Sequence, residues 1–161
     1  MQRFRRCAMS DRIFAVVDTN VLVSALISKS IDSNPMKVFR AIVTEQIVPL
    51  YYNDEILQEY QSVLSREKFH LDKTLIETVL KAIVTDGLCL DRTPAVDVEF
   101  PDPKDVVFYE IVLSKEDSYL ITGNIKHFPI RPFVVTPAEI VRILESRQDQ
   151  NRQFPVRPFR E

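Results

Sequence analysis

The chain has 161 residues, of which 45% are hydrophobic and 27% are charged, and its formal net charge is −2. This length and composition predict a single globular domain with a core of ordinary size. The net charge argues against tight nonspecific binding to nucleic acids by long-range attraction, and no apolar run approaches the roughly 18 residues that a membrane span needs.

The cysteines and the two ends of the chain bear on its compartment and domain boundaries. Cys7 and Cys89 have neither metal-binding nor redox spacing, and the basic residues at the N-terminus precede no apolar signal-peptide core. We therefore expect a cytoplasmic protein with reduced thiols. Residues 1–12 are interpreted as a basic N-terminal extension, in which Met9 is an alternative start, and residues 146–161 as an Arg-rich C-terminal tail.

The first predicted element is a strand that ends in an aspartate. Residues Ile13–Val17 form a continuous apolar run, which is typical of a strand buried on both faces. Asp18 follows directly, and Thr19 or Asn20 can cap the helix that the next apolar residues predict. Because buried strand ends seldom carry a carboxylate for turn chemistry alone, Asp18 is a candidate functional residue.

Helices and strands alternate through the middle of the chain. The pattern predicts a helix over 35–44, a strand over 47–52, a helix over 55–65 capped by Asn53 or Asp54, a helix over 73–86 capped by Asp72, and a strand over 88–90. Glu59 lies in the helix over 55–65, directly before the inward-facing Tyr60. Taken alone, Glu59 is more simply a solvated helix residue.

An acidic loop over residues 91–104 precedes the last predicted elements. These are a helix over 105–113, strands over 119–122 and 133–136, and a final helix from Pro137 to about Leu144. Asp105 opens the first of these helices, where its simplest role is an N-cap, and Asp102 is most simply a loop acid. Asn124 follows the strand over 119–122, where turn chemistry alone can explain it.

This alternation predicts an α/β domain over residues 13–145, with three α/β/α layers and a mostly parallel central sheet. In such sheets, ligands bind at the carboxyl ends of the strands. Asp18, Glu59 and Asp105, with Asn124, are therefore candidates for one shared site.

The candidate residues carry oxygen ligands, which suit a hard cation such as Mg²⁺ or Mn²⁺. Such an ion can polarise a phosphoryl group and orient a water molecule, and phosphodiester hydrolysis needs little more. The sequence disfavours a glycine-rich nucleotide loop, since the chain has only two glycines. His127, close to Asn124 in the sequence, is a candidate for contact with substrate.

Four segments resemble, in their order, the PIN-domain family and in particular its toxins from toxin–antitoxin modules. They are residues 17–24 (VDTNVLVS), 55–60 (EILQEY), 101–105 (PDPKD) and 119–124 (YLITGN). The resemblance implies a PIN-like fold with a Mg²⁺- or Mn²⁺-dependent ribonuclease site, whose first three acids are Asp18, Glu59 and Asp105. It further implies RNA as the substrate, an antitoxin protein as a partner, and a homodimer.

The resemblance also assigns the surroundings of these acids. Asn20 and Thr122 match polar positions of the site, and Asp102 and His127 are further candidates near the substrate. The family's fourth acid falls on Asn124, whose amide oxygen can ligate a metal but brings no charge.

Two hypotheses follow from this departure: a toxin-type ribonuclease, or a degenerate PIN domain that binds RNA or a partner protein without cutting. An aspartyl-phosphate enzyme built on Asp18 is a third class. It is disfavoured because Asn20 stands where the haloacid-type motif needs a second aspartate.

Overall fold

A computed structural model of the chain describes residues 12–153, apart from the side chain of Asn53. The central sheet in this region has five strands: β1 (Ile13–Val17), β2 (Ile47–Tyr51), β3 (Leu88–Cys89), β4 (Ser118–Ile121) and β5 (Val134–Val135). All neighbouring strands are parallel, and their order across the sheet is β3-β2-β1-β4-β5. The predicted α/β class is therefore confirmed, and the sheet is parallel throughout.

Helices flank this sheet. Within residues 12–153 they are α1 (Thr19–Ile27), α2 (Asn34–Val43), α3 (Asn53–Leu64), α4 (Lys73–Asp86), α5 (Val106–Val112) and α6 (Pro137–Gln153). Helix α2 packs against α1 and α6, whereas α5 packs against β1, β2 and β4. Because parallel crossovers are right-handed, the reversal of direction between β3 and β4 places α5 on the face opposite α1–α4. None of the helices in this region is both long and apolar enough to cross a membrane.

The core is centred on β1. Ala15 and Val16 are completely buried, and Ile56 of α3, Ile111 of α5 and Leu120 of β4 are equally inaccessible to solvent. A strand in the middle of a parallel sheet is covered by helices on both faces, so its residues are apolar without alternation. This explains the apolar run that predicted β1.

The direction of the strand order reverses between β1 and β4. From β1 the chain moves outward to β2 and β3, and it then returns to the other side of β1 as β4. Open parallel sheets form a crevice at the carboxyl ends of the strands at such a point. Val17 is paired with Ile121. The residues that follow them, Asp18 and Thr122, therefore lie side by side at this crevice.

Gly87 ends α4 at a close approach to β2. A Cβ atom at this position would lie 2.6 Å from the carbonyl oxygen of Pro49 and closer still to that of Ile83. Both neighbours are backbone atoms, which cannot move aside as a flexible side chain can. The glycine allows the chain to enter β3 at once, where Leu88 pairs with Leu50.

Two predicted helix caps are wrong. Helix α1 begins at Thr19 and its N-cap is Asp18, so neither Thr19 nor Asn20 occupies the cap position. Helix α3 begins at Asn53 and its N-cap is Tyr52, not Asn53 or Asp54. In both cases the helix starts within two residues of the strand before it, so the cap position falls earlier than predicted. In α1 this places the cap on Asp18, another polar residue, whereas in α3 the tight connection overrides the preference of polar side chains for caps.

The prediction for the last helix is also wrong, because α6 continues to Gln153 rather than ending near Leu144. Its buried residues, Ile140 and Val141, are confined to the first half. The second half is polar, so apolar periodicity gives no sign of it. Residues 146–153 of the expected tail are thus helical. The remainder of that tail and residues 1–11 of the expected N-terminal extension lie outside the described residues.

Candidate functional site at the carboxyl edge of the sheet

Asp18 is a buried carboxylate at the crevice, directly after β1, with 6% of its surface exposed. Its backbone N–H donates to the carbonyl oxygen of Ile121 at 2.9 Å. Although Asp18 occupies the N-cap position of α1, its side chain makes no capping bond. The carboxylate oxygen Oδ2 instead accepts hydrogen bonds from Thr122 Oγ1 at 2.7 Å and from Asn20 Nδ2 at 3.3 Å.

Thr122 and Asn20 tie the segment after β4 to the start of α1. The side chain of Thr122 is fully buried, and its hydroxyl also accepts from the backbone N–H of Asn124 at 3.0 Å. Asn20 Oδ1 accepts from the backbone N–H of Gly123 at 3.2 Å. The Asp18 carboxylate is thereby held in one orientation by one group that follows β4 and one group on α1.

The environment of Asp18 disfavours its charge. Burial raises the pKa of Asp18 to about 6, the hydrogen bond from Thr122 opposes this rise, and the negative charge of Asp105 adds to it. A buried carboxylate beside another carboxylate is stabilised by any cation that reaches it. A cation beside this pair would therefore offset the cost of their charges.

Asp105, at the N-cap of α5, is the second of the candidate acids that is largely buried, with 14% of its side chain exposed. Its side chain makes no capping bond, so the simple N-cap role does not describe its contacts. Oδ2 lies 3.2 Å from Nδ1 of His127, which ends the 3₁₀ turn Ile125–His127. Burial raises the pKa of Asp105, the hydrogen bond with His127 lowers it, and the charges of Asp102 and Glu59 raise it.

The other predicted residues lie around this pair to differing degrees. Glu59 is half-buried on α3, and its charge acts on Asp105. Asp102 is exposed, and its Oδ1 accepts from the backbone N–H of Lys104 at 3.0 Å. Asn124 is also exposed, and it bonds to the network through its backbone N–H to Thr122. Asp18 and Asp105 thus form the buried part of the cluster, and the other residues form its rim.

The donor chemistry of this cluster suits a hard divalent cation with few protein ligands. Across residues 12–153, no group of three or more His, Cys, Asp or Glu side chains stands close enough to hold a metal ion. Mg²⁺ commonly takes only one or two carboxylates and completes its shell with water and phosphate oxygens. Asp18 and Asp105 could supply such a pair, because both are carboxylates whose charge the surroundings disfavour.

Two features beside Asp18 were not predicted from the sequence. The buried hydroxyl of Tyr60 donates to the carbonyl oxygen of Val17, which connects α3, the helix of Glu59, to the end of β1. Thr19 Oγ1 is buried and has no hydrogen-bond partner in the described part of the chain. Apolar periodicity identified Tyr60 as inward-facing, but nothing in the sequence indicates the partner of its hydroxyl.

A cavity of about 750 Å³ lies at the opposite edge of the sheet. Its lining includes Arg12 and Phe14 at the start of β1, Ser118 at the start of β4, and Phe133 just before β5. None of the candidate acids borders it. The acidic cluster is therefore separate from this cavity and is defined by its charges and hydrogen bonds.

Comparison with known proteins identifies a family. Residues 15–126 match a family model described as PIN domain. This range covers more than half of the chain and includes every candidate site residue except His127. No curated protein and no solved structure matches the chain.

Proposed function

The chain belongs to the PIN-domain family, whose members are generally nucleases, and we propose that it is a Mg²⁺- or Mn²⁺-dependent endoribonuclease that hydrolyses RNA phosphodiester bonds. One observation carries the proposal: the buried carboxylate of Asp18, oriented by Thr122 and beside Asp105, lies where the strand order of a parallel sheet reverses. Sites of α/β proteins are found at this place.

In this proposal Asp18 and Asp105 would hold the divalent ion, with Glu59 on α3 as a further acid beside them. When bound, the ion would polarise the phosphoryl group of the RNA and orient a water molecule. Asn20 and Thr122 fix the orientation of the Asp18 carboxylate, because both donate hydrogen bonds to its Oδ2. The protein's own side chains mainly orient the carboxylates and supply the negative charge that would hold the ion, and phosphodiester hydrolysis needs little more from the protein.

Residues at the rim would contact the RNA. His127 has 44% of its side chain exposed and bonds to Asp105 through Nδ1, so its other ring nitrogen is available to a phosphate oxygen. Asp102 would favour a cation at the entrance, and Asn124 would add a neutral amide oxygen as a weak ligand.

The biological setting is a further part of the proposal. The segments over 17–24, 55–60, 101–105 and 119–124 resemble those of toxins from toxin–antitoxin modules. We therefore infer a cytoplasmic toxin that acts as a homodimer and is kept inactive by an antitoxin protein.

The second candidate is a degenerate PIN domain that binds RNA or a partner protein without cutting. Two observations favour it: Asn124 brings no charge to the place of the fourth acid, and no cluster of three potential ligand side chains occurs over residues 12–153. A site of this kind could retain RNA contacts while binding a metal ion too weakly for catalysis.

The two candidates are separated by the fate of bound RNA. Purified protein is mixed with an end-labelled single-stranded RNA in Mn²⁺, Mg²⁺ or a chelator, and both complex formation and product length are followed. The ribonuclease proposal predicts shortened products in either metal and intact RNA in the chelator. A stable complex with intact RNA in all three conditions would support the degenerate domain instead.

A further inference from the structure

Arg92 joins the helix of Glu59 to the helix that Asp105 begins. Its Nη1 donates to both carboxylate oxygens of Glu55 on α3, at 3.2 and 3.1 Å. Its Nη2 donates to Glu110 Oε1 on α5 at 2.7 Å. One planar guanidinium therefore bridges α3 and α5, and its geometry fixes the directions of these bonds.

The two glutamates that Arg92 binds lie on the helices that set the positions of Glu59 and Asp105. Glu55 lies four residues before Glu59, so the two share one face of α3. Glu110 lies within the short helix α5, five residues after its N-cap Asp105, and it is buried with 8% of its surface exposed. A shift of either helix relative to the other would change the separation of Glu59 and Asp105.

The start of the acidic loop is bound to α5, the helix that contains Glu110. Glu110 Oε2 accepts from the backbone N–H of Ala95 at 3.1 Å, and the Glu110 carbonyl oxygen accepts from the N–H of Thr93 at 3.1 Å. Arg92 also lies over the ring of Tyr52, the N-cap of α3, at 5.8 Å from its centroid. Arg92 thus contacts Tyr52 and Glu55 at the start of α3 and Glu110 on α5, and the residues that follow it are bound to α5.

A buried aromatic pair supports this bridge. The rings of Tyr60 on α3 and Phe108 on α5 lie 6.2 Å apart between centroids. This apolar pair provides attraction but little direction, whereas charged hydrogen bonds are strongly directional. The charged hydrogen bonds of Arg92 therefore add direction to the apolar contact between the two helices.

We propose that Arg92 is a positioning residue, which sets the separation of Glu59 and Asp105 and thereby prepares the acidic cluster for a divalent ion. This inference rests on the proposed function, because it assumes that the cluster binds such an ion. Residues that orient metal ligands without touching the metal typically change metal affinity by about 10- to 100-fold when they are replaced.

The test measures Mn²⁺ binding to the full-length protein by calorimetry. Arg92→Lys keeps the charge but loses the planar fork, and it should weaken binding by about tenfold. Arg12→Lys is its matched control, because the side chains of Arg12 and Arg92 are both 30% exposed and each pairs with a glutamate. This control should bind Mn²⁺ as the wild type does.

Arg92→Ala distinguishes positioning from electrostatics, because the two predict opposite changes in Mn²⁺ affinity. Loss of a positive charge near the acids would tighten cation binding, whereas loss of the bridge weakens it. Since this variant leaves Glu110 buried without its partner, it can also lose stability. Glu55→Gln avoids that problem, because Glu55 is half exposed and the bond between Arg92 and Glu110 remains.

Glu55→Gln should weaken Mn²⁺ binding without lowering the melting temperature, and Asp54→Asn, an adjacent exposed residue with the same change of charge, should not weaken it. The inference is overturned if wild-type protein binds Mn²⁺ and Arg92→Lys and Glu55→Gln bind it as tightly as their controls. If wild-type protein binds no Mn²⁺, the proposed function fails and the inference fails with it.

Discussion

Thr122 Oγ1 donates a 2.7 Å hydrogen bond to Asp18 Oδ2 across 104 positions of sequence. It joins the ends of β4 and β1, the two neighbouring strands between which the strand order reverses. The bond is buried and one partner is a carboxylate, which makes it stronger than a bond between neutral groups. The same contact therefore serves both the fold and the orientation of the proposed site.

The first prediction concerns Thr122→Val, which keeps the shape of the side chain and removes its hydroxyl. Asp18 then loses a charged hydrogen bond, and its pKa should rise further. We expect the free energy of unfolding at neutral pH to fall by about 2 kcal/mol, as measured by urea denaturation. Thr122→Ser retains the hydroxyl and should recover most of this loss. Equal loss in both variants would mean that packing, not the hydroxyl, matters at this position.

The second prediction concerns pH and the metal-free protein. The pKa of Asp18 is raised from 3.8 to about 6, so the folded state holds a proton that the unfolded state releases in this interval. Stability must then fall as the pH rises from about 4 to about 6, by up to about 3 kcal/mol for this group. Asp105, whose pKa is also raised, contributes with the same sign.

Asp18→Asn removes the titrating group, while its amide oxygen can still accept the bond from Thr122. In the presence of a chelator, the variant should therefore lose much of the fall in stability between pH 4 and 6, and it should be the more stable protein at pH 7. Urea denaturation at several pH values measures this difference. A variant as pH-sensitive as wild type would show that Asp18 does not carry the effect.

The third prediction concerns the close approach of Gly87. Gly87→Ala places a Cβ against the carbonyl oxygens of Pro49 and Ile83, so the end of α4 must move away from β2. We expect a loss of about 1 to 3 kcal/mol in the free energy of unfolding. Gly123→Ala is the matched control, since its nearest neighbour would be Asn20 Oδ1 at an ordinary 3.4 Å. Comparable destabilisation by the two changes would contradict this reasoning.

The fourth prediction concerns Asn124, which stands in the place of the family's fourth acid. Asn124→Asp adds a carboxylate at the rim of the cluster and should tighten Mn²⁺ binding on the order of tenfold, since ligand charge raises the affinity of oxygen sites. Asn151→Asp adds the same charge at an exposed position of α6 and serves as the control. If calorimetry shows no difference between the two variants, Asn124 is a turn residue.

The sequence carried enough information to predict the sheet and the acids but not the contacts between them. The apolar run Ile13–Val17 and the aspartate after it predicted β1 and the place of Asp18, because burial on both faces leaves a local pattern. The polar second half of α6 leaves no such pattern, and its length could not be inferred. The bridge from Arg92 to Glu55 and Glu110 joins distant parts of the chain, so only the fold reveals it.

The most direct test of the ribonuclease site at Asp18 is the initial rate of RNA cleavage as Mn²⁺ is added to wild type, Asp18→Asn and the surface control Asp54→Asn. The wild-type rate should rise with Mn²⁺ to a plateau and vanish in a chelator, and Asp54→Asn should behave in the same way. Asp18→Asn should be slower by more than about 100-fold, beyond the range typical of residues that only orient a ligand. Cleavage that is independent of Mn²⁺, or equal in wild type and Asp18→Asn, would contradict a metal-dependent ribonuclease site at Asp18.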